Sequence, residues 1–203
     1  MNNYALAQEN ARLHFLRYDH RLLSRRAGVR DEGGYLIFPF LGALTRVEKA
    51  TGYITFSTDR IQTCWEADFS EALSVYDWLC DQKPGAKSSG QFCPVSSLSG
   101  VYVSGSGLSM TADALSAQID REPERFCRTC LNLGGVPHPL GDIGYILEIF
   151  PGLPMALKFY HSDEDFPAAL TLLWDTHILD FVRYETVYYI AGVLFRRIRQ
   201  GMT

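Results

Sequence analysis

The chain has 203 residues, 47% of them hydrophobic and 21% charged, an ordinary globular balance that can bury roughly 70% of the unfolded surface. Folding at this length needs neither a disulfide framework nor a metal. The formal net charge of −4 is the wrong sign for a nucleic-acid or anionic-lipid surface, so neither nucleic acid nor membrane is an expected partner.

Taken in chain order, Tyr4, Ala7, Ala11, Phe15, Tyr18 and Leu22 recur at helical spacing and predict one helix over 3–24, with Gly28 as its stop. Residues 35–40 form a short apolar run that reads as a strand. Pro39 cannot donate to a ladder, so the strand ends there or lies at an edge. Residues 45–49 and 53–57 flank Ala50-Thr51-Gly52 and predict a hairpin. A second helix is expected over 70–81, with Ser70 as N-cap, followed by a loop over 84–90 opened by Pro84-Gly85.

Residues 90–107 are rich in Ser and Gly, with Val101-Tyr102-Val103 as a strand candidate. Helices are predicted over 111–121 and 123–133, the second opened by Pro123 and closed by Gly134-Gly135. Residues 143–150, 155–160 and 170–174 read as three strands, and their short links favour an antiparallel meander. A final helix over 185–199 buries Val187, Ile190, Ala191, Leu194 and Ile198. Arg196, Arg197 and Arg199 near its end suit the helix dipole and form a local basic patch. The sum is an α+β fold: one domain over 1–203, antiparallel strand regions packed by N-terminal, central and C-terminal helices.

Five cysteines at irregular spacing do not make a disulfide framework. Met1-Asn2-Asn3 leads into a polar amphipathic stretch, so no signal peptide is expected. No segment approaches about 18 uninterrupted apolar residues. Reduced thiols in a cytoplasm are the expectation.

Cys127 and Cys130 form C-x-x-C at helical i, i+3 spacing, which puts both sulfurs on one side for a metal or a redox pair. No second C-x-x-C or paired His completes a zinc site, and two packed core thiols are the competing reading. His161, Asp163 and Glu164, with Asp165, make an acidic turn whose donors suit a divalent cation, without the EF-hand pattern. Its alternative is a solvated turn. Gly105-Ser106-Gly107 and Gly85-Ala86-Lys87-Ser88 are fragments of phosphate-loop patterns and complete neither. No G-x-S-x-G occurs. His138, held between Pro137 and Pro139, is open to a ligand or to solvent. Tyr184, Tyr188 and Tyr189 suit a planar-ligand pocket, a dimer face or plain core packing.

Leu133-Gly134-Gly135, Phe150-Pro151-Gly152-Leu153-Pro154 with its following strand, Asp163-Glu164-Asp165-Phe166-Pro167, Leu173-Trp174-Asp175 and Tyr184-Glu185 follow one another in that order. Together they resemble the bacterial and archaeal family known as domain of unknown function 3786, most firmly over 133–198. The resemblance implies no activity, cofactor or catalytic residue, because none is established for the family. Some relatives carry a separate cysteine-rich segment similar to the iron–sulfur part of corrinoid iron–sulfur proteins. That implies company with anaerobic one-carbon, corrinoid or electron-transfer metabolism. This chain has no four-cysteine cluster at its N-terminus.

Three functions stay open at this level. One is a non-enzymatic accessory or ligand-binding protein with a small-molecule or protein partner. Another is a metal- or thiol-dependent enzyme using Cys127 and Cys130, or His161, Asp163 and Glu164. The last is an interaction module working through the C-terminal helix. The ligand, any cofactor and the oligomeric state are not fixed by the sequence.

Overall fold

A computed structural model describes residues 3–58, 63–98 and 109–203. The strand candidate at 101–103 and the Gly105-Ser106-Gly107 fragment lie outside them.

The N-terminal apolar stripe does not make one helix. It makes α1 (Asn3–Phe15) and α2 (His20–Ala27). Asp19 interrupts the run because its carboxylate accepts from the backbone N–H of Arg21 at 2.9 Å, restarting a helix as an N-cap. The restart shifts the phase, so Leu23 and Ala27 are buried while Leu22 is exposed. Gly28 closes α2 as expected.

Five strands follow as an antiparallel meander: β1 (Arg30–Glu32), β2 (Tyr35–Phe40), β3 (Ala43–Glu48), β4 (Ile54–Thr58) and β5 (Thr63–Glu66). Leu36, Phe38 and Phe40 alternate inward, opposite Val47, Thr45 and Ala43. β1 pairs only as far as Ile37. Pro39 therefore sits where β2 has no strand on that side, and its missing N–H breaks no ladder bond.

The next helix, α3 (Phe69–Asp81), is capped by Asp68 and not by Ser70. Asp68 and Glu71 form a reciprocal capping box, which satisfies two orphan amides where a serine satisfies one. α3 is buried nearly all round, packed against α1 and α6 (Tyr184–Met202). Beyond it the loop over 84–90 is tied down by the buried Asp175. That carboxylate accepts from Ser89 N–H (3.0 Å), Ser89 Oγ (3.0 Å), Gly90 N–H (2.8 Å) and His177 N–H (2.9 Å).

The second sheet is also antiparallel, in the order β6-β10-β9-β8-β7. Its centre is the predicted meander, β8 (Ile143–Phe150), β9 (Leu153–Tyr160) and β10 (Ala169–Asp175). β6 (Phe92–Cys93) and β7 (Val136–Pro137) are two-residue edges. α4 (Ser109–Arg121), α5 (Pro123–Asn132) and α6 pack together, α4 also against β10 and α5 against β8.

The two sheets meet where the turn after β2 touches β8: the Leu41 N–H donates to Ile149 O at 3.0 Å. A run of rings crosses this junction. Trp78 stacks on Phe150 and Phe150 on Phe40, each with centroids 4.5 Å apart and planes 8° apart, and Phe40, Phe56 and Trp65 continue the row. Each fully buried large side chain here contributes roughly 1.5–3 kcal/mol of transfer free energy. Among the described residues, no helix is long and apolar enough to cross a membrane.

Candidate functional site

The ring row ends at a cleft of about 590 Å³ between the first sheet, α3, the end of α5 and α6. Leu41, Ala43, Trp65 and Leu133 form its apolar walls, with Thr58, Asn132 and Gln200 at the polar rim. Its floor is ionic. Glu71, only 3% exposed, sits there because the capping box fixes the start of α3. Its carboxylate accepts from Trp65 Nε1–H (3.3 Å) and Arg197 Nη2 (3.1 Å) and forms an ion pair with Arg196 Nη2 (3.2 Å).

Arg197 is 8% exposed. The period that buries Ile190 and Leu194 carries the seventh residue after Ile190 onto the same face of α6. So the basic patch read from the sequence is not one surface: Arg197 turns inward and Arg196 spans Asp68 and Glu71. The Arg197 guanidinium lies over Phe40, Phe56 and Trp65, 5.0, 5.5 and 5.8 Å from their centroids. Nη1 donates to the carbonyls of Phe40 and Leu41, the latter at 2.8 Å. Nε is buried with no hydrogen-bond partner. Burial pulls the guanidinium below the ordinary arginine value, and Glu71 opposes that shift.

The carbonyl pair is presented by a tight turn. Leu41 holds φ at +46°, the left-handed region that a side chain disfavours, and is fully buried. Gly42 follows at φ +81°, and a Cβ there would stand 2.8 Å from the Leu133 Cα. The turn is thus clamped between α5 and the Arg197 guanidinium, a place where backbone strain is retained.

The residues singled out in the sequence lie elsewhere. Cys127 and Cys130 sit in the middle and late part of α5, against β8. Cys130 is fully buried, and burial pushes its thiol well up. Cys127 is half-buried beside Tyr145, whose hydroxyl is pushed up to about 12 by burial and by the nearby Cys127 thiol. The described cysteines are free thiols. His161 follows β9, its Nδ1 2.7 Å from Asp120 Oδ1 on α4, while Ser162 Oγ donates to Asp120 Oδ2 at 2.6 Å. Asp163 accepts from the backbone N–H groups of Asp165 (2.9 Å) and Phe166 (2.7 Å), making an Asx turn, and Glu164 is exposed. Among the described residues, no three His, Cys, Asp or Glu side chains gather as a metal site would require. None of these five residues lines the cleft.

The fold and the cleft together define a two-sheet α+β protein whose cavity has a desolvated ion-pair floor. More narrowly, the chain belongs to the family described as Domain of unknown function (DUF3786), which matches residues 19–197, from the N-cap of α2 to the buried arginine. No curated protein and no solved structure matches the chain.

Proposed function

We propose that this is a ligand-binding protein whose ligand seats a small, flat, uncharged or zwitterionic group against Trp65 in the cleft. The observation that carries this is the Arg197–Glu71 pair at the cleft floor. A buried ion pair gains little stability over apolar packing of the same volume. At the base of an apolar-walled cavity it instead supplies a few fixed polar groups in a dry place, the usual make-up of a small-molecule site. The cleft volume suits that class as well.

Charge narrows the ligand. Glu66, Asp68 and Glu71 outnumber Arg196 and Arg197 around the cleft, and both arginines are already paired with carboxylates. A free polyanion is therefore disfavoured, while a planar group offering hydrogen bonds to Asn132 and Gln200 fits. We read the chain as one domain, because buried core residues run from Phe15 to Met202. The free thiols support a cytoplasmic setting, and the family resemblance supports a bacterial or archaeal one near one-carbon metabolism.

Dansylamide, flat and uncharged, tests the proposal by its own emission and by energy transfer from Trp65. Saturable binding is expected, weakened about tenfold or more, 1.4 kcal/mol or above, by Gln200→Phe, which fills the cleft from an exposed position. Equal binding to the wild type and to Gln200→Phe contradicts the proposal, as does tighter binding of pyrophosphate than of dansylamide.

A further inference from the structure

We infer that the ligand carries an anionic arm that leaves the cleft past Asn132 and lies along a basic trough on α5; this rests on the ligand-binding reading above. A second cavity, about 730 Å³, adjoins the cleft. Asn132 lines both, and Gln200 on the cleft is followed by Gly201 on the trough. The two cavities are therefore one path with two chemistries.

In the trough the charge balance reverses. Arg121, Arg125 and Arg128 outnumber Glu122 and Glu124. Arg125 is partly engaged, its Nε donating to Gly201 O (3.3 Å) and its Nη1 to Glu122 Oε2 (3.3 Å). Arg121 and Arg128 are exposed and enter no ion pair with a described residue. The trough also takes in the first turn of α5, a ten-residue helix whose N-cap, Glu122, turns its carboxylate to Arg125 and makes no capping hydrogen bond to the helix amides. The positive end of that helix dipole adds to the arginines.

Spacing ties the two ends together. Arg125, Arg128, Thr129 and Asn132 recur at i, i+3, i+4 and i+7, so they share one face of α5. From Arg125 to Asn132 the helix rises about 10 Å. A flat head at Trp65 and an anion beside Arg128 are thus joined by a flexible arm that passes Asn132, which lines both cavities. Such a molecule satisfies both cavities, whereas a neutral head alone leaves the arginines unused and an anion alone meets the carboxylates of the cleft.

Two probes with one fluorophore test this: dansylamide, and N-dansyl-6-aminohexanoate, whose arm ends in a carboxylate. The acid is expected to bind about tenfold tighter at low ionic strength, with the margin shrinking as salt is raised. Arg121→Gln with Arg128→Gln, both at exposed positions, should abolish the margin and leave dansylamide affinity unchanged. If dansylamide binds and the acid gains nothing, or keeps its gain in the double variant, the arm is refuted and the cleft reading stands. If neither probe binds, the cleft reading fails and the arm falls with it.

Discussion

Replacing Arg197 by methionine removes a charge that the fold has already taken out of water. The wild-type guanidinium donates to two carbonyls and to Glu71 and covers three rings. The variant leaves the Phe40 and Leu41 carbonyls without that donor and strips Glu71 of one of its two arginines. Removing one partner of a buried pair costs about 4 kcal/mol. In a chain of this size that lowers Tm by about 12 °C. Glu71→Gln keeps the shape and the Trp65 contact but leaves Arg197 as an uncompensated buried charge, at about 3 kcal/mol. Because each substitution removes the same interaction, the double variant should fall short of the sum by about 2 kcal/mol. Urea unfolding followed by tryptophan fluorescence on all four proteins measures this. Additive single effects would show that the pair is not coupled, and the ionic floor would lose its meaning.

Asp77 is buried on α3, where desolvation raises its carboxyl above the ordinary 3.8 and a hydrogen bond from Thr186 only partly offsets this. A raised folded value means stability that is full below 3.8 and is lost as pH rises above 3.8 through the raised value of the folded carboxyl. Asp77→Asn keeps an acceptor for Thr186, so it should gain stability over the wild type as pH rises to neutrality and gain nothing in acid; a pH-independent difference would count against it. Asp175→Ala removes the acceptor of four hydrogen bonds, three of which hold the loop over 84–90 and the fourth the His177 N–H. A loss of about 3 kcal/mol is expected, with faster amide exchange at Ser89 and Gly90. Unchanged exchange there would mean that the loop is held by something else.

What was legible in the sequence was periodic or locally marked. The α6 stripe repeats at helical spacing, and Pro123 at the first position of α5 and the apolar runs of β8–β10 with their short links are local signals strong enough to be read. The break between α1 and α2 was not, because the apolar spacing continues through Asp19, whose capping bond local pattern does not reveal. β1, β5, β6 and β7 are too short to show a period, and they are strands only by pairing with stronger neighbours. The cleft was hidden for another reason. Leu41, the Trp65–Glu71 stretch, Asn132 and Arg197 are far apart in the chain and meet only through tertiary packing. Two local signals did point to it: the Asp68–Glu71 capping box, and the place of Arg197 on the buried face of α6, which its charge disguised as surface.

Three tryptophans give three indole N–H resonances, and they separate the cleft from the core. Trp78 and Trp174 are fully buried, whereas Trp65 lines the cleft with its N–H on Glu71. Titrating dansylamide should move the Trp65 resonance in a saturable way and leave the other two in place. A titration that moves none of them, or shifts Trp78 and Trp174 as far as Trp65, would contradict a ligand site at this cleft.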